Sequence, residues 1–292
     1  MKRSLICCSA FLLFVGARAV AQLPDTCKPP ASAAQAPAGT TPARVYDAVG
    51  AWFAEKGDLK CAVAAFKQAL QLEPRLAEAH FDLGLVRQSQ QQPAAAIGEF
   101  RLALQYDPAL LLAHCALGSS LGDPTEAEAE FRKALAVNPQ LVCALDGMAQ
   151  VLVKERRYDA AMDYWRQALR IQPDAPDLQI ALATATYKSA KARQADGLPA
   201  LDGAGVADAI RLLTDLLKSH PGITAAYFTL GNIYANERRD REAADEYQEV
   251  TRRSPTDTVA LAAQVKALID ASAYTEALAP ASDYVRRKPN DP

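Results

Sequence analysis

Proline recurs along this chain at a nearly fixed interval. Pro74, Pro108, Pro139, Pro173, Pro221, Pro255 and Pro289 are 34, 31, 34, 48, 34 and 34 residues apart. Each closes a segment in which alanine and bulky apolar residues stand at helical spacing. Proline lacks a backbone N–H and disfavours helix in the residue before it, so each one ends a helix. A recurring unit of this length suits a pair of short antiparallel helices that can bury their apolar face only against the next pair. The chain is therefore predicted to be all-α, one array of about seven stacked hairpins, although 292 residues would allow two globular domains.

The sixth unit shows the pattern most clearly. Tyr227, Leu230, Gly231 and Tyr234 fall on one face of a first helix, and Ala243, Tyr247 and Val250 on one face of a second. The polar stretch from Asn236 to Asp240 joins them, and the small Gly231 and Ala243 let the two backbones approach. Earlier units repeat the first half as Tyr46, Val49, Gly50 and Phe53, as His80, Leu83, Gly84 and Arg87, and as His114, Leu117, Gly118 and Leu121. They repeat the second half as Ala62, Phe66, Ala69 and Pro74, as Ala96, Phe100, Ala103 and Pro108, as Ala127, Phe131, Ala134 and Pro139, and as Ala161, Trp165, Ala168 and Pro173.

This pattern resembles the tetratricopeptide repeat family over residues 43 to 289. The resemblance implies a right-handed superhelical solenoid, with repeats at about 43–76, 77–110, 111–141, 142–175, 176–223, 224–257 and 258–289. The third repeat is shortened to the tight turn Gly122-Asp123-Pro124. The fifth gains 14 residues, read as an insertion loop over 191–205 with Gly197, Pro199, Gly203 and Gly205. Long loops of this kind are often contact arms or unstructured. The last repeat is atypical, with Val265 where a small residue is usual and Pro280 inside its second helix, which predicts a frayed or kinked end.

Residues 1–21 stand outside the array. Lys2-Arg3 is a basic start, Leu5 to Gly16 an apolar run, and Ala19-Val20-Ala21 a small-residue cleavage motif, so the segment reads as a secretory signal peptide cleaved after Ala21. The run is too short to span a bilayer, and no stable membrane insertion is expected after cleavage; an uncleaved membrane anchor is the alternative. Export places the protein in the periplasm or outside the cell. Residues 22–41, rich in proline, alanine and threonine, read as a flexible linker. Four cysteines follow the signal, Cys27, Cys61, Cys115 and Cys143. An oxidising compartment permits disulfides, and four cysteines allow three pairings, among which sequence does not choose. Cys115 and Cys143 near the starts of adjacent first helices are expected as one pair, with Cys27 then free to reach Cys61; idle thiols are the alternative.

No catalytic, cofactor or metal site is expected. There is no GxGxxG, GK[ST], CxxC or HExxH. A metal held by His80, His114 and Cys115 competes with two imidazoles packed between helices, and the packing reading is preferred because zinc wants four close ligands at recognisable spacing. Carboxylates two apart, such as Glu128 and Glu130, do not face each other on a helix. A net charge of −2, with acidic residues between the arginine pairs, argues against nucleic acid as partner.

In tetratricopeptide arrays the first helices line a groove, and positions one past the core stripe point into it. By that register the expected lining is Phe81, Leu85, Leu112, Cys115, Asp146, Gln150, Ile180, Thr184, Tyr187, Phe228 and Asn232. This mixture of apolar, aromatic and a few polar groups suits a protein or peptide bound by buried side chains. The family's carboxylate-clamp chemistry of inward Lys and Asn is missing, since the matching positions hold Asp47, Ala51, Phe81 and Leu85. The resulting expectation is a non-enzymatic, exported scaffold or adaptor. Two rivals are the repeat portion of, or accessory subunit to, an envelope enzyme such as a glycosyltransferase, and a structural protein that self-assembles through its last repeat.

Overall fold

A computed structural model of the protein describes residues 23–30, 37, 39–199 and 205–288. The predicted signal peptide, Pro289 and the glycine at 203 lie outside them. Among the described residues there are fourteen α-helices, one short 3-10 helix and no strand. The helices are α1 Pro42–Glu55, α2 Leu59–Leu72, α3 Ala77–Ser89, α4 Pro93–Tyr106, α5 Leu111–Ser120, α6 Pro124–Val137, α7 Val142–Lys154, α8 Tyr158–Ile171, α9 Pro176–Ala195, α10 Val206–Ser219, α11 Thr224–Asn236, α12 Asp240–Arg253, α13 Thr258–Asp270 and α14 Tyr274–Arg287. The chain divides within α7 into two compact units, Met1–Gly147 and Met148–Pro292.

In the first unit α1 packs on α2, α3 on α4 and α5 on α6, and each second helix also meets the next first helix, α2 with α3 and α4 with α5. The second unit repeats the scheme with α9 on α10, α11 on α12 and α13 on α14, joined through α8–α9, α10–α11 and α12–α13. First helices also meet, α1 with α3, α3 with α5 and α9 with α11. These are the contacts that stacked hairpins require, and they bury the repeating alanines and aromatics: Ala62, Phe66, Ala96, Phe100, Ala134, Ala168 and Ala243 are all completely shielded. No further helix follows α14 among the described residues. Leu278 and Val285 there remain exposed, whereas their counterparts on α2, Val63 and Leu70, are half-buried.

In four of the first helices a glycine (Gly50, Gly84, Gly118, Gly231) makes room for the aromatic ring of the paired second helix, and Gly147 does the same for Phe131. A Cβ built on Gly84 would stand 2.4 Å from Cε1 of Phe100, and one on Gly147 would stand 2.2 Å from Cε1 of Phe131. The turn inside most hairpins needs one residue in the left-handed region, at Gly57, Gln91, Arg156, Arg238 and Ser272. Such a residue stops the preceding helix. The third hairpin lacks room for it. There Asp123 caps α6 instead, accepting hydrogen bonds from the Thr125 and Glu126 amides at 2.7 and 3.1 Å.

Three expectations need correction. Residues 191–195 are not loop but the last turn of the 20-residue α9. The added turn braces the second unit, with Ser189 donating to Asp159 at 2.5 Å, Arg193 3.8 Å from Asp159, and Lys191 3.0 Å from Glu237. The proposed linker 22–41 is not wholly free chain. Residues 25–27 form the 3-10 helix, and Leu23 and Cys27 join the buried cluster of Val45, Val49 and Phe53. Finally, α14 continues through Pro280 to Arg287 without a break.

Among the described residues there are two disulfides. Cys27 is bonded to Cys61, Cα atoms 5.2 Å apart, pinning this N-terminal strap to α2. Cys115 is bonded to Cys143, Cα atoms 6.0 Å apart, joining α5 to α7.

Candidate functional site

The expected lining falls on the first helices in both units, each described by itself. In the first unit, α3 presents Phe81 and Leu85, α5 presents Leu112 and Cys115, and α7 carries Asp146. Leu112 is 52% exposed and Leu85 37%, so both are bare apolar surface on helices whose other apolar side chains are buried or half-buried. Phe81 is half-buried, its ring 6.0 Å from that of Phe100. Cys115 contributes no free side chain, because its sulfur is taken by Cys143 and the residue is buried. The geometry therefore removes Cys115 from the lining.

In the second unit, Gln150 is exposed, and Ile180, Tyr187 and Phe228 lie half-buried against one apolar cluster. Their polar neighbours are committed. Thr184 donates to the Ile180 carbonyl at 2.8 Å, Tyr187 donates to Glu237 at 2.9 Å, and Asn232 accepts from the Tyr247 hydroxyl at 2.7 Å. Burial and the Glu237 carboxylate raise the Tyr187 pKa. On Glu237 burial works upward, but hydrogen bonds from Lys191 and Tyr187 outweigh it and hold the carboxyl below its usual range. This Tyr187–Glu237–Lys191 bridge ties the Tyr187 ring between α9 and α11.

Sequence reasoning missed the acidity of the first unit. Burial first, then the charges of Asp82 and Glu78, push the Asp47 carboxyl up to about 7 against the opposing pull of Arg44. Burial and Glu78 push Asp82 up to about 6. Asp47 Oδ1 is shielded and meets no hydrogen-bond donor among the described residues. The spacing Asp47…Asp82 is nearly one repeat, which was the available signal. The folded state holds the Asp47 proton more tightly than the unfolded chain, so its contribution to stability falls as pH rises from the ordinary carboxylate range through about 7. At full weight the displacement corresponds to about 4 kcal/mol, and to about 2 kcal/mol after allowing for its solvated edge. Asp47→Asn is therefore expected to be more stable than the parent at about pH 8 and to match it at about pH 4. Urea titrations at the two pH values check this, and equal gaps at both would contradict it.

The two packed histidines are structural. His80 Nδ1 is 2.7 Å from Glu99 and its Nε2 3.1 Å from the Pro74 carbonyl. His114 repeats the arrangement with Glu130 at 2.6 Å and the Pro108 carbonyl at 3.2 Å. A carbonyl only accepts, so each Nε2 carries hydrogen and donates. Each ring thus ties the end of one hairpin to both helices of the next. Burial lowers the His80 pKa, but its bonds to Glu99 and Pro74 outweigh that and raise it overall. Among the described residues no group of three or more His, Cys, Asp or Glu could hold a metal ion.

A depression of about 660 Å³ in the first unit lies off the expected lining. It runs between α4 and α6, with Leu104, His114, Glu130 and Val137 in its wall. Its mouth is open, and the His114–Glu130 pair at its base is already satisfied internally.

Together, the hairpins, their glycine–aromatic contacts and the bare first-helix side chains define a helical repeat protein of the scaffold type. Family profiles described as TPR or tetratricopeptide repeat match residues 50–91, 112–141, 144–185 and 197–258. The chain belongs to the tetratricopeptide repeat family. No curated protein sequence matches it.

Solved structures share the fold at low identity. The APC/C hetero-tetramer Cut9-Hcn1 gives a TM-score of 0.64 at 16% identity, covering 89% of this chain and 46% of that one. The present chain thus spans less than half the length of that relative. A tetratricopeptide repeat protein from Parabacteroides merdae gives 0.61 at 16% identity over 80% and 86% of the two chains. PilW, described as a widely conserved type IV pilus biogenesis factor, gives 0.61 at 18% over 75% and 96%.

Proposed function

We propose that this protein is a non-enzymatic scaffold that binds segments of other proteins along its first helices, and that it works outside the cytoplasm. The observation that carries the reading is the set of apolar side chains left exposed or half-buried beside buried cores: Leu85 and Leu112 with half-buried Phe81 in one unit, and half-buried Ile180, Tyr187 and Phe228 in the other. Apolar and aromatic groups in such positions supply most of the energy in peptide recognition. The carboxyls of Asp47 and Asp82 add a preference, because a basic side chain arriving near them would relieve their mutual repulsion. The preferred ligand is therefore an apolar segment flanked by Lys or Arg.

The extracellular or periplasmic assignment rests on the N-terminal signal pattern and on two disulfides, which oxidising compartments favour. No helix among the described residues is long and apolar enough to cross a membrane.

Selection from a random peptide library tests the reading. Enriched peptides are expected to pair large apolar residues with basic ones, and Phe81→Ala with Phe228→Ala is expected to weaken the best of them at least about tenfold by calorimetry, the loss of roughly one hot-spot contact. Equal affinity in the double variant, with helicity retained, would remove the first helices as the site.

A further inference from the structure

Two hairpins close the outer end of their first helix with a side chain from the last position of their second. In the second hairpin, Tyr106 ends α4 half-buried, its ring 5.5 Å from the His80 imidazole. In the sixth, Arg253 ends α12 with its guanidinium 4.3 Å from the centre of the Tyr227 ring, and Tyr227 stands at the repeat position of His80. The third hairpin keeps the histidine, as His114, but its last position is Val137. Valine is too short to reach back, and Val137 is 68% exposed. The depression of about 660 Å³ lies against both residues.

The wall of that depression says what would fit. Leu104, Leu117, Ala136 and Val137 give it an apolar side. Arg101 and Lys133 give it two cations, against the single carboxylate of Glu130. Glu130 is engaged already, by His114 at 2.6 Å and by Lys133 at 2.6 Å. Arg101 is held only at its surface, 3.6 Å from the exposed Glu126. Within the lining the surplus is one positive charge, carried by Arg101, and its exposed guanidinium can turn from Glu126 to an arriving anion at small cost. His80 supplies the internal template for the apolar part, since a tyrosine ring packs beside the same imidazole one repeat earlier.

We propose that the depression between α4 and α6 is a second peptide-binding site, which takes an aromatic side chain beside His114 and an adjacent carboxylate at Arg101 and Lys133. The open mouth suits a side chain presented by a peptide. The site lies mainly on second helices, apart from the first-helix surface described above, and it prefers acidic rather than basic neighbours to its aromatic residue.

Nuclear magnetic resonance titration of the whole chain with blocked tetrapeptides tests this. The probes are Gly-Tyr-Glu-Gly, Gly-Tyr-Gln-Gly and Gly-Leu-Glu-Gly. The first is expected to shift the amides of Leu104, His114 and Val137, and to bind about threefold tighter than the second, the weight of one solvent-exposed charge pair. The third should bind more weakly than either. Val137→Tyr supplies the missing ring from within the chain, so that variant is expected to keep its helicity and to lose these shifts. Arg101→Gln with Lys133→Gln should make the Glu and Gln peptides equal while preserving the preference for tyrosine over leucine, a split that misfolding would not produce. Shifts that persist in Val137→Tyr overturn the proposal. So does a parent whose Leu104, His114 and Val137 amides do not move, and so does equal binding of the three peptides.

Discussion

Replacing Gly84 by valine is expected to remove much of the stability of the first unit, about 3 kcal/mol or more. The reason is local and geometric. Any Cβ on Gly84 would stand 2.4 Å from the ring of Phe100, and that ring is completely buried in an interior whose close packing leaves it little room to retreat. The two helices must then separate, and each stacked neighbour loses part of its cover. Thermal melts followed by circular dichroism should show a first transition displaced to much lower temperature. A second change makes the cause specific: Phe100→Leu added to Gly84→Val should recover part of the loss, since it vacates the space the valine needs. If valine alone leaves the melt untouched, the close approach of α3 and α4 is not a determinant of the fold.

The second large effect is expected on removing the strap disulfide. Cys27 and Cys61 are 34 residues apart, and closing a loop of that size lowers the entropy of the unfolded chain by an amount equivalent to about 4 kcal/mol. Cys27→Ser with Cys61→Ser should therefore cost roughly 2–4 kcal/mol in urea unfolding of the first unit. It should also expose Val45 and Val49, which share the strap's buried cluster. Increased binding of a hydrophobic dye to the folded variant would report that. An unchanged unfolding midpoint together with unchanged dye binding would mean that the strap is held by nothing the disulfide contributes.

What can be read from the sequence follows from the range of each interaction. The prolines, alanines and glycines of the repeat each answer to a partner within the same or the next hairpin, so their spacing is enough to place the hairpins and the close contacts of Gly84 and Gly231. The cysteine pairing needs distances that spacing does not provide. The strap is hidden because Pro29-Pro30 and the surrounding alanines look like free chain, and only packing reveals that Leu23 and Cys27 are covered. In the fifth hairpin, Gly197 and Pro199 suggest a loop from 191 onward. The helix instead runs to Ala195 because Ser189 and Arg193 have a partner on α8 and Lys191 has one at Glu237, which caps the end of α11. Register names the helices that carry the candidate binding groups. It does not show that Cys115 is bonded or that the Tyr187 hydroxyl is committed to Glu237. The raised carboxyls of Asp47 and Asp82 depend on adjacency across two hairpins, which a single repeat motif does not encode.

Each hairpin is incomplete without its neighbours. Amide hydrogen exchange resolved along the chain, compared between the parent and Gly84→Val, tests that most directly. The predicted result is protection lost throughout α3 and α4, reduced in the adjoining α2 and α5, and kept in α11 to α14. Loss confined to α3 and α4, or an equal loss from α1 through α14, would contradict it.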